Sequence, residues 1–129
     1  MCRHSGVSNF CGQYFYRGLT PAEKQEALDQ HNRLRSRVAV GSTIQPSAAD
    51  MMELQWDDEL AAVAQRHADQ CQLGHDCNQC RRVSRFKVGQ NIFRGRDSQY
   101  HQPEWRYIIE DWFSEINIFP GGVDILQYR

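Results

Sequence analysis

Cys71, His75, Cys77 and Cys80 hold the densest chemistry in the chain, spaced C-x3-H-x-C-x2-C. Thiolates and an imidazole are tetrahedral zinc ligands, so a structural zinc knuckle is one reading. Against it, His75 and Cys77 are very close in sequence and Cys71 should sit on a helix. Disulfides to Cys2 and Cys11 account for the same cysteines without a metal. His75 is followed by Asp76, and a neighbouring carboxylate can move an imidazole's titration across neutrality, which suits acid–base work. From spacing alone, an exposed polar turn after a helix explains this pair as well. His31 and His67 fall on helix faces expected to be buried and read as hydrogen-bonded core histidines rather than ligands. Glu110 and Glu115 share a helix but not a face. Glu115 lies at the edge of the apolar stripe, where a carboxylate could look into a cavity. No G-x-S-x-G, Walker loop or H-E-x-x-H is present.

Bulk properties narrow the classes that such residues could serve. The chain has 129 residues, enough for one domain. A hydrophobic fraction of 40% suits a chain that buries a core. Arg81, Arg82, Arg85, Lys87, Arg94 and Arg96 make a local basic stretch interleaved with Phe86 and Phe93, a pattern that can touch nucleic acid or anionic lipid. A formal net charge of -1 favours a solvated face instead, and no nucleic-acid partner is expected. No apolar run approaches the roughly 18 residues of a membrane span, so no transmembrane segment is expected. Five cysteines point to an oxidising compartment. The opening MCRHSGVSNF nevertheless lacks the apolar stretch of a signal peptide. Either the protein is cytosolic with reduced thiols, or the chain is a fragment of a secreted precursor.

The elements that must position these residues are marked by local signals. Residues 1–19 read as an irregular, cysteine-containing arm, and residues 20–129 as the folded part. Thr20-Pro21-Ala22-Glu23 is a capping box with Pro at the first helical position. It opens a helix with Ala27, Leu28, His31, Leu34 and Val38 on one face, ending near Gly41. Asp57 is the N-cap of a second helix with Leu60, Val63, Ala64, His67 and Cys71 on its stripe and Gly74 as its stop. In residues 86–93, Phe86, Val88, Gln90 and Ile92 alternate with Lys87, Gly89, Asn91 and Phe93, which predicts a strand. Trp105, Ile108, Ile109, Trp112, Phe113 and Ile116 predict a third helix, stopped by Pro120-Gly121-Gly122. One strand cannot form a sheet. Its partners are expected beyond Arg129, leaving the faces around Trp105, Ile109 and Trp112 partly exposed.

The ordered pieces HNRLRSRVAVG at 31–41, QPSAADM at 45–51, LQWDDELAAVAQRHADQC at 54–71, GHDC at 74–77, RFKVGQNI at 85–92 and WFSEI at 112–116 resemble the CAP superfamily, the cysteine-rich secretory, antigen 5 and pathogenesis-related proteins. The branch most similar is the insect venom allergen 5 type. The resemblance implies an α+β fold, the α-β-α sandwich of the family. In this chain it would be incomplete, with three helices and about one central strand. It also implies an extracellular, secreted protein stapled by disulfides.

The family's cleft carries two His and two acids. His75 matches the first His and Glu115 the second acid. Gln90 stands in Gly89-Gln90-Asn91, where the first acid of a Gly-Glu-Asn motif would be, and the second His belongs to a Gly-His-Tyr-Thr-Gln segment absent from this chain. An amide is neither a base nor a source of charge for a metal. The resemblance therefore implies a non-enzymatic protein that binds a lipid, a sterol or a protein receptor, with no cofactor. Zinc at His75 is confined to a full-length relative that has the second His. The alternatives are a metal-assisted hydrolase centred on His75 and Glu115, and an intracellular zinc-binding interaction module built on Cys71, His75, Cys77 and Cys80. The family spacing implies a Cys11–Cys71 bridge, Cys80 paired with Cys2 or another arm cysteine, and Cys77 as the odd thiol of a small insertion.

Overall fold

A computed structural model describes residues 5–13, 16–95 and 103–118. Its helices are α1 (Pro21–Ala39), α2 (Asp58–Ala68) and α3 (Trp105–Ser114), with short 3-10 helices at Asn9–Cys11 and Glu115–Ile118. The chain separates into two compact units, residues 1–18 with 57–102 and residues 19–56 with 103–129.

In the second unit, α1 begins at the capping box. Thr20 Oγ1 accepts from the Glu23 N–H at 3.3 Å, and Glu23 Oε2 accepts from the Thr20 N–H at 2.7 Å. The bond from the Thr20 backbone is the main reason the Glu23 carboxyl titrates below its ordinary range. At the other end, Gly41 adopts φ 72°, and Ser42 N–H returns to the Arg37 carbonyl at 2.9 Å. That left-handed turn is open to glycine without the Cβ penalty. α1 also holds the segment that follows it. Asn32 donates to the Leu54 carbonyl at 3.0 Å and accepts from the Leu54 N–H at 2.8 Å. Arg35 donates through Nε and Nη2 to the Met52 carbonyl.

α1 packs on α3 through Ala27, Leu34 and Ile109, flanked by Trp105, Trp112 and Phe113. Ile109 is 2% exposed, and Trp105 and Trp112 are half-buried. α1 thus covers the apolar face around these residues in part, with Ile109 buried and the two tryptophans partly exposed. Gln30, unremarked in the sequence, is buried on the same interface. It donates to Glu110 Oε1 at 2.9 Å and accepts from Arg33 Nε at 3.0 Å. Glu110 also takes Arg33 and Arg106, so it is a junction between the helices rather than a lone solvated charge. Desolvation pushes its carboxyl up, but the bonds from Gln30 and Arg106 outweigh this and hold it below the usual range.

In the first unit, Asp57 caps α2 by accepting from the Leu60 N–H at 3.0 Å. Arg85 pairs with Asp57 at 2.6 Å and with Glu59 at 3.0 Å. Leu60's N–H first, then Arg85, lower the Asp57 pKa. α2 ends at Ala68, earlier than the stop expected at Gly74. The reason lies in the last turn, where Gln70 N–H and Cys71 N–H bond back only three residues, to His67 and Ala68, each at 3.0 Å. Cys71 then takes φ 51° and leaves the helix instead of continuing its apolar stripe.

The arm is fastened to this exit. Cys71 is bridged to Cys11 across 60 residues, and Ser8 N–H donates to the Asp69 carbonyl at 2.9 Å. Gln70 Nε2 donates to the Gly6 carbonyl at 3.2 Å. Arg17 binds both carboxylate oxygens of Asp69, at 3.2 and 2.8 Å, and Gln65 adds a third bond at 2.8 Å. Cys11 Sγ sits 3.1 Å from the Asp69 carbonyl. A bridged sulfur carries no proton, so this is a packing contact and not a hydrogen bond.

No strand is present among the described residues, and the strand expected over residues 86–93 is an irregular segment without a ladder. Alternation signals which side chains could share a face, but a strand exists only when its backbone groups find a neighbouring strand. Here the Val88 carbonyl is taken by a side chain, Arg81 Nε at 2.9 Å.

Candidate functional site

His75 and Gln90, two of the cleft positions implied by the resemblance, meet in the first unit. Gln90 Oε1 accepts from the Asp76 backbone N–H at 3.2 Å and lies 3.0 Å from His75 Nδ1. The backbone N–H can only donate, which fixes the amide oxygen at this point. That oxygen can only accept, which places the proton of neutral His75 on Nδ1. The Nε2 lone pair is then the ring's available acceptor.

Asp76 and Arg81 buttress this contact. Their ion pair is 2.8 Å long, with side chains 10% and 14% exposed. Arg81 also donates to the Asp76 carbonyl at 2.8 Å and to Asn78 Oδ1. The acid beside His75 in sequence is therefore spent on Arg81, while an amide faces the imidazole. Replacing Gln90 by Ala should release the ring. We expect its 15N shifts to move from the Nδ1–H form toward the Nε2–H form that free imidazole prefers. An unchanged tautomer would show that Gln90 does not hold it.

Zinc takes thiolate, imidazole nitrogen or carboxylate oxygen. Cys71 is consumed by the bridge to Cys11, and Cys77 is bridged to Cys80. Asp76 is held by Arg81. His75 Nε2 is the one donor left in this cluster, so its residues do not fit a zinc ion. Among the described residues no group of three or more His, Cys, Asp or Glu is placed to hold a metal.

The Cys77–Cys80 bridge corrects the expectation that Cys80 joins an arm cysteine and Cys77 stays free. A tight turn brings the two Cα atoms to 5.1 Å, with Cys80 N–H on the Cys77 carbonyl at 2.8 Å. Family spacing identifies which cysteine is shared with relatives, but a partner three residues away is nearer than any arm. Cys2 and Arg96 lie outside the described residues. Of the basic stretch, Arg81 and Arg85 are committed to acids of this unit. His67 Nε2 donates to the Gly74 carbonyl at 3.0 Å.

The second unit holds Glu115, exposed at the start of its 3-10 helix, and His31, whose Nδ1 donates to the Ala27 carbonyl at 2.8 Å. The unit also contains a solvent-open groove of about 580 Å³. Leu34, Ile44, Phe113 and Ile116 line it together with polar Ser42, Thr43, Ser114 and Asn117, and Arg37 and Glu110 contribute charge. Arg37 lies 5.8 Å over the Phe113 ring, a cation–π contact. A volume of this size is typical of small-molecule sites, where apolar walls supply affinity and a few polar groups set orientation. Sequence reading missed this site because its residues come from three separate segments. Next to it in the core, Trp112 Nε1 is shut from solvent with no partner among the described residues.

Comparison with known proteins places these features. The pattern of the Cysteine-rich secretory protein family (CAP) matches residues 28–122. The chain is 47% identical over 107 residues to a "CRISP/Allergen/PR-1" protein of Trittame loki, covering 80% of this chain and 26% of that protein. It is 41% identical over 127 residues to a "Venom allergen 3 homolog" of Dinoponera quadriceps, covering 92% of this chain and 54% of the relative. A "Venom allergen 5" of Tityus serrulatus is 41% identical over 107 residues, which is 79% of this chain and 26% of that protein. The chain thus spans about a quarter to about half the length of these curated relatives. No solved structure matches it. The match over most of its length, in the order and spacing of its motifs, means that the chain belongs to the cysteine-rich secretory protein (CAP) family.

Proposed function

We propose that this chain belongs to a secreted, non-enzymatic venom allergen 5-type protein and that its second unit binds an amphipathic lipid or sterol. The family's description, the names of the relatives and the two disulfides support secretion. In the whole protein, strands outside the described residues would complete the α-β-α sandwich. No helix among the described residues is long and apolar enough to cross a membrane. Against catalysis, His75 faces an amide, and Gln90 supplies neither a base nor negative charge for a metal.

The observation that carries the binding reading is the open groove in which Leu34, Ile44, Phe113 and Ile116 form an apolar side, with Arg37 beside the Phe113 ring. An acyl chain or sterol ring system fits that side, and an anionic head fits Arg37. Titration with a fluorescent fatty acid and a fluorescent sterol tests this. Ile116→Asp, with helix content checked by circular dichroism, should weaken both by at least tenfold, because each buried CH2 is worth about 0.8 kcal/mol. Arg37→Gln should weaken the fatty acid and spare the sterol. Binding that survives Ile116→Asp would place the ligand elsewhere, and no binding by the parent chain would overturn the reading.

A further inference from the structure

We propose that Cys77–Cys80 is an exchange-active disulfide, a site for thiol–disulfide exchange with small dithiols or vicinal protein dithiols, whereas Cys11–Cys71 is the structural bridge of the same unit. The two bridges use four of the chain's five cysteines, and their surroundings differ in the properties that set exchange rates. Access to a sulfur does not separate them, and the stability of the thiolates released does.

Each bridge has one exposed and one half-buried cysteine, Cys77 with Cys80 and Cys71 with Cys11. Cys77 Sγ accepts the Cys80 N–H at 3.1 Å, a donor that favours the thiolate over the thiol. The two also stand in the Cys-x-x-Cys spacing shared by reactive thiols. Arg82 follows closely in sequence, while Arg81 and Asp76 are paired with each other. The Cys11 sulfur, by contrast, lies against the Asp69 carbonyl oxygen, which disfavours a thiolate, in the network that fastens the arm. That network keeps the two sulfurs adjacent after cleavage and favours their re-closure.

The reaction balances as a two-electron exchange. A thiolate of the incoming dithiol attacks Cys77 Sγ, the Cys77–Cys80 bond breaks, and Cys80 leaves as a thiolate that takes up a proton. The second thiolate of the reagent then attacks its own sulfur in the mixed disulfide and releases the Cys77 thiolate, which retains the Cys80 N–H. The protein bridge is reduced to two thiols and the dithiol is oxidised to a disulfide. Run in reverse, the reduced Cys77 and Cys80 pair reduces a disulfide elsewhere and closes again.

The experiment uses the intact, air-oxidised chain and dithiothreitol as the probe. Aliquots are quenched with an alkylating reagent at intervals and mapped by peptide mass spectrometry. Cys77 and Cys80 should be labelled at least tenfold faster than Cys11 and Cys71, at reductant levels that leave the helical circular dichroism unchanged. A Cys80→Ser variant provides a second readout. Its Cys77 should alkylate at pH 6.5 at least tenfold faster than the same cysteine in denaturant. Equal rates for the two bridges, a Cys77 no faster than its denatured form, or a non-reduced map joining Cys80 to Cys2 would each overturn the proposal.

Discussion

Converting Cys11 and Cys71 together to serine should lower the unfolding free energy of the chain by about 4 kcal/mol. The bridge spans 60 residues, and the chain-entropy cost of a loop that size gives this figure at 25 °C. Urea denaturation of the double variant against the parent measures it. A midpoint that barely moves would mean that the arm is held in the unfolded ensemble as well, or that the bridge does not form. Converting Cys77 and Cys80 in the same way should cost much less, because they close a loop of only three residues.

Arg17→Ala is the second large effect, expected at about 3 kcal/mol. Asp69 has a side chain 2% exposed, whereas Arg17 is 56% exposed. Removing the guanidinium strands a desolvated carboxylate, and losing one partner of such a pair typically costs about 3–5 kcal/mol. The lower end applies because Gln65 still donates to Asp69 Oδ1 at 2.8 Å. The exposed Arg17, left behind by Asp69→Asn, regains water, so that variant should be milder. A milder Arg17→Ala than Asp69→Asn would contradict the burial argument. Arg17 and the Cys11–Cys71 bridge fasten the same arm, so their effects should not add, and a double-mutant cycle should return a coupling of about 1 kcal/mol or more.

The sequence was most legible where the physics is local. The reciprocal Thr20–Glu23 bonds and the Asp57 cap lie within three residues of each helix start, and both are present as read. The helix stripe of Trp105, Ile108, Ile109, Trp112 and Phe113 also forms, though it tightens to 3-10 geometry at Glu115. What failed depended on distant or competing partners. Alternation in residues 86–93 promised a strand, but Arg81 satisfies Val88 from seven residues away. Gly74 looked like a stop, yet the helix had already closed at Ala68 through its own last turn. Gln30 and Glu110 are 80 residues apart, and no pattern in either segment foretells their bond. The meeting of His75 with Gln90 was implied by family resemblance alone, because nothing in their spacing predicts it.

The discontinuity of the first unit bears on biosynthesis. Residues 1–18 are translated before residues 57–102 and must wait for them before their unit can assemble. Cys11 therefore meets its partner only when Cys71, Cys77 and Cys80 appear almost together. Cys77 and Cys80 can close within their own turn as soon as they are translated, which withdraws both as competitors for Cys11. Ser8 and Arg17, both seeking Asp69, then bring the waiting thiol to Cys71. The short bridge thus acts during synthesis as a temporary protecting group for two sulfurs, and pairing fidelity arises from the order of emergence.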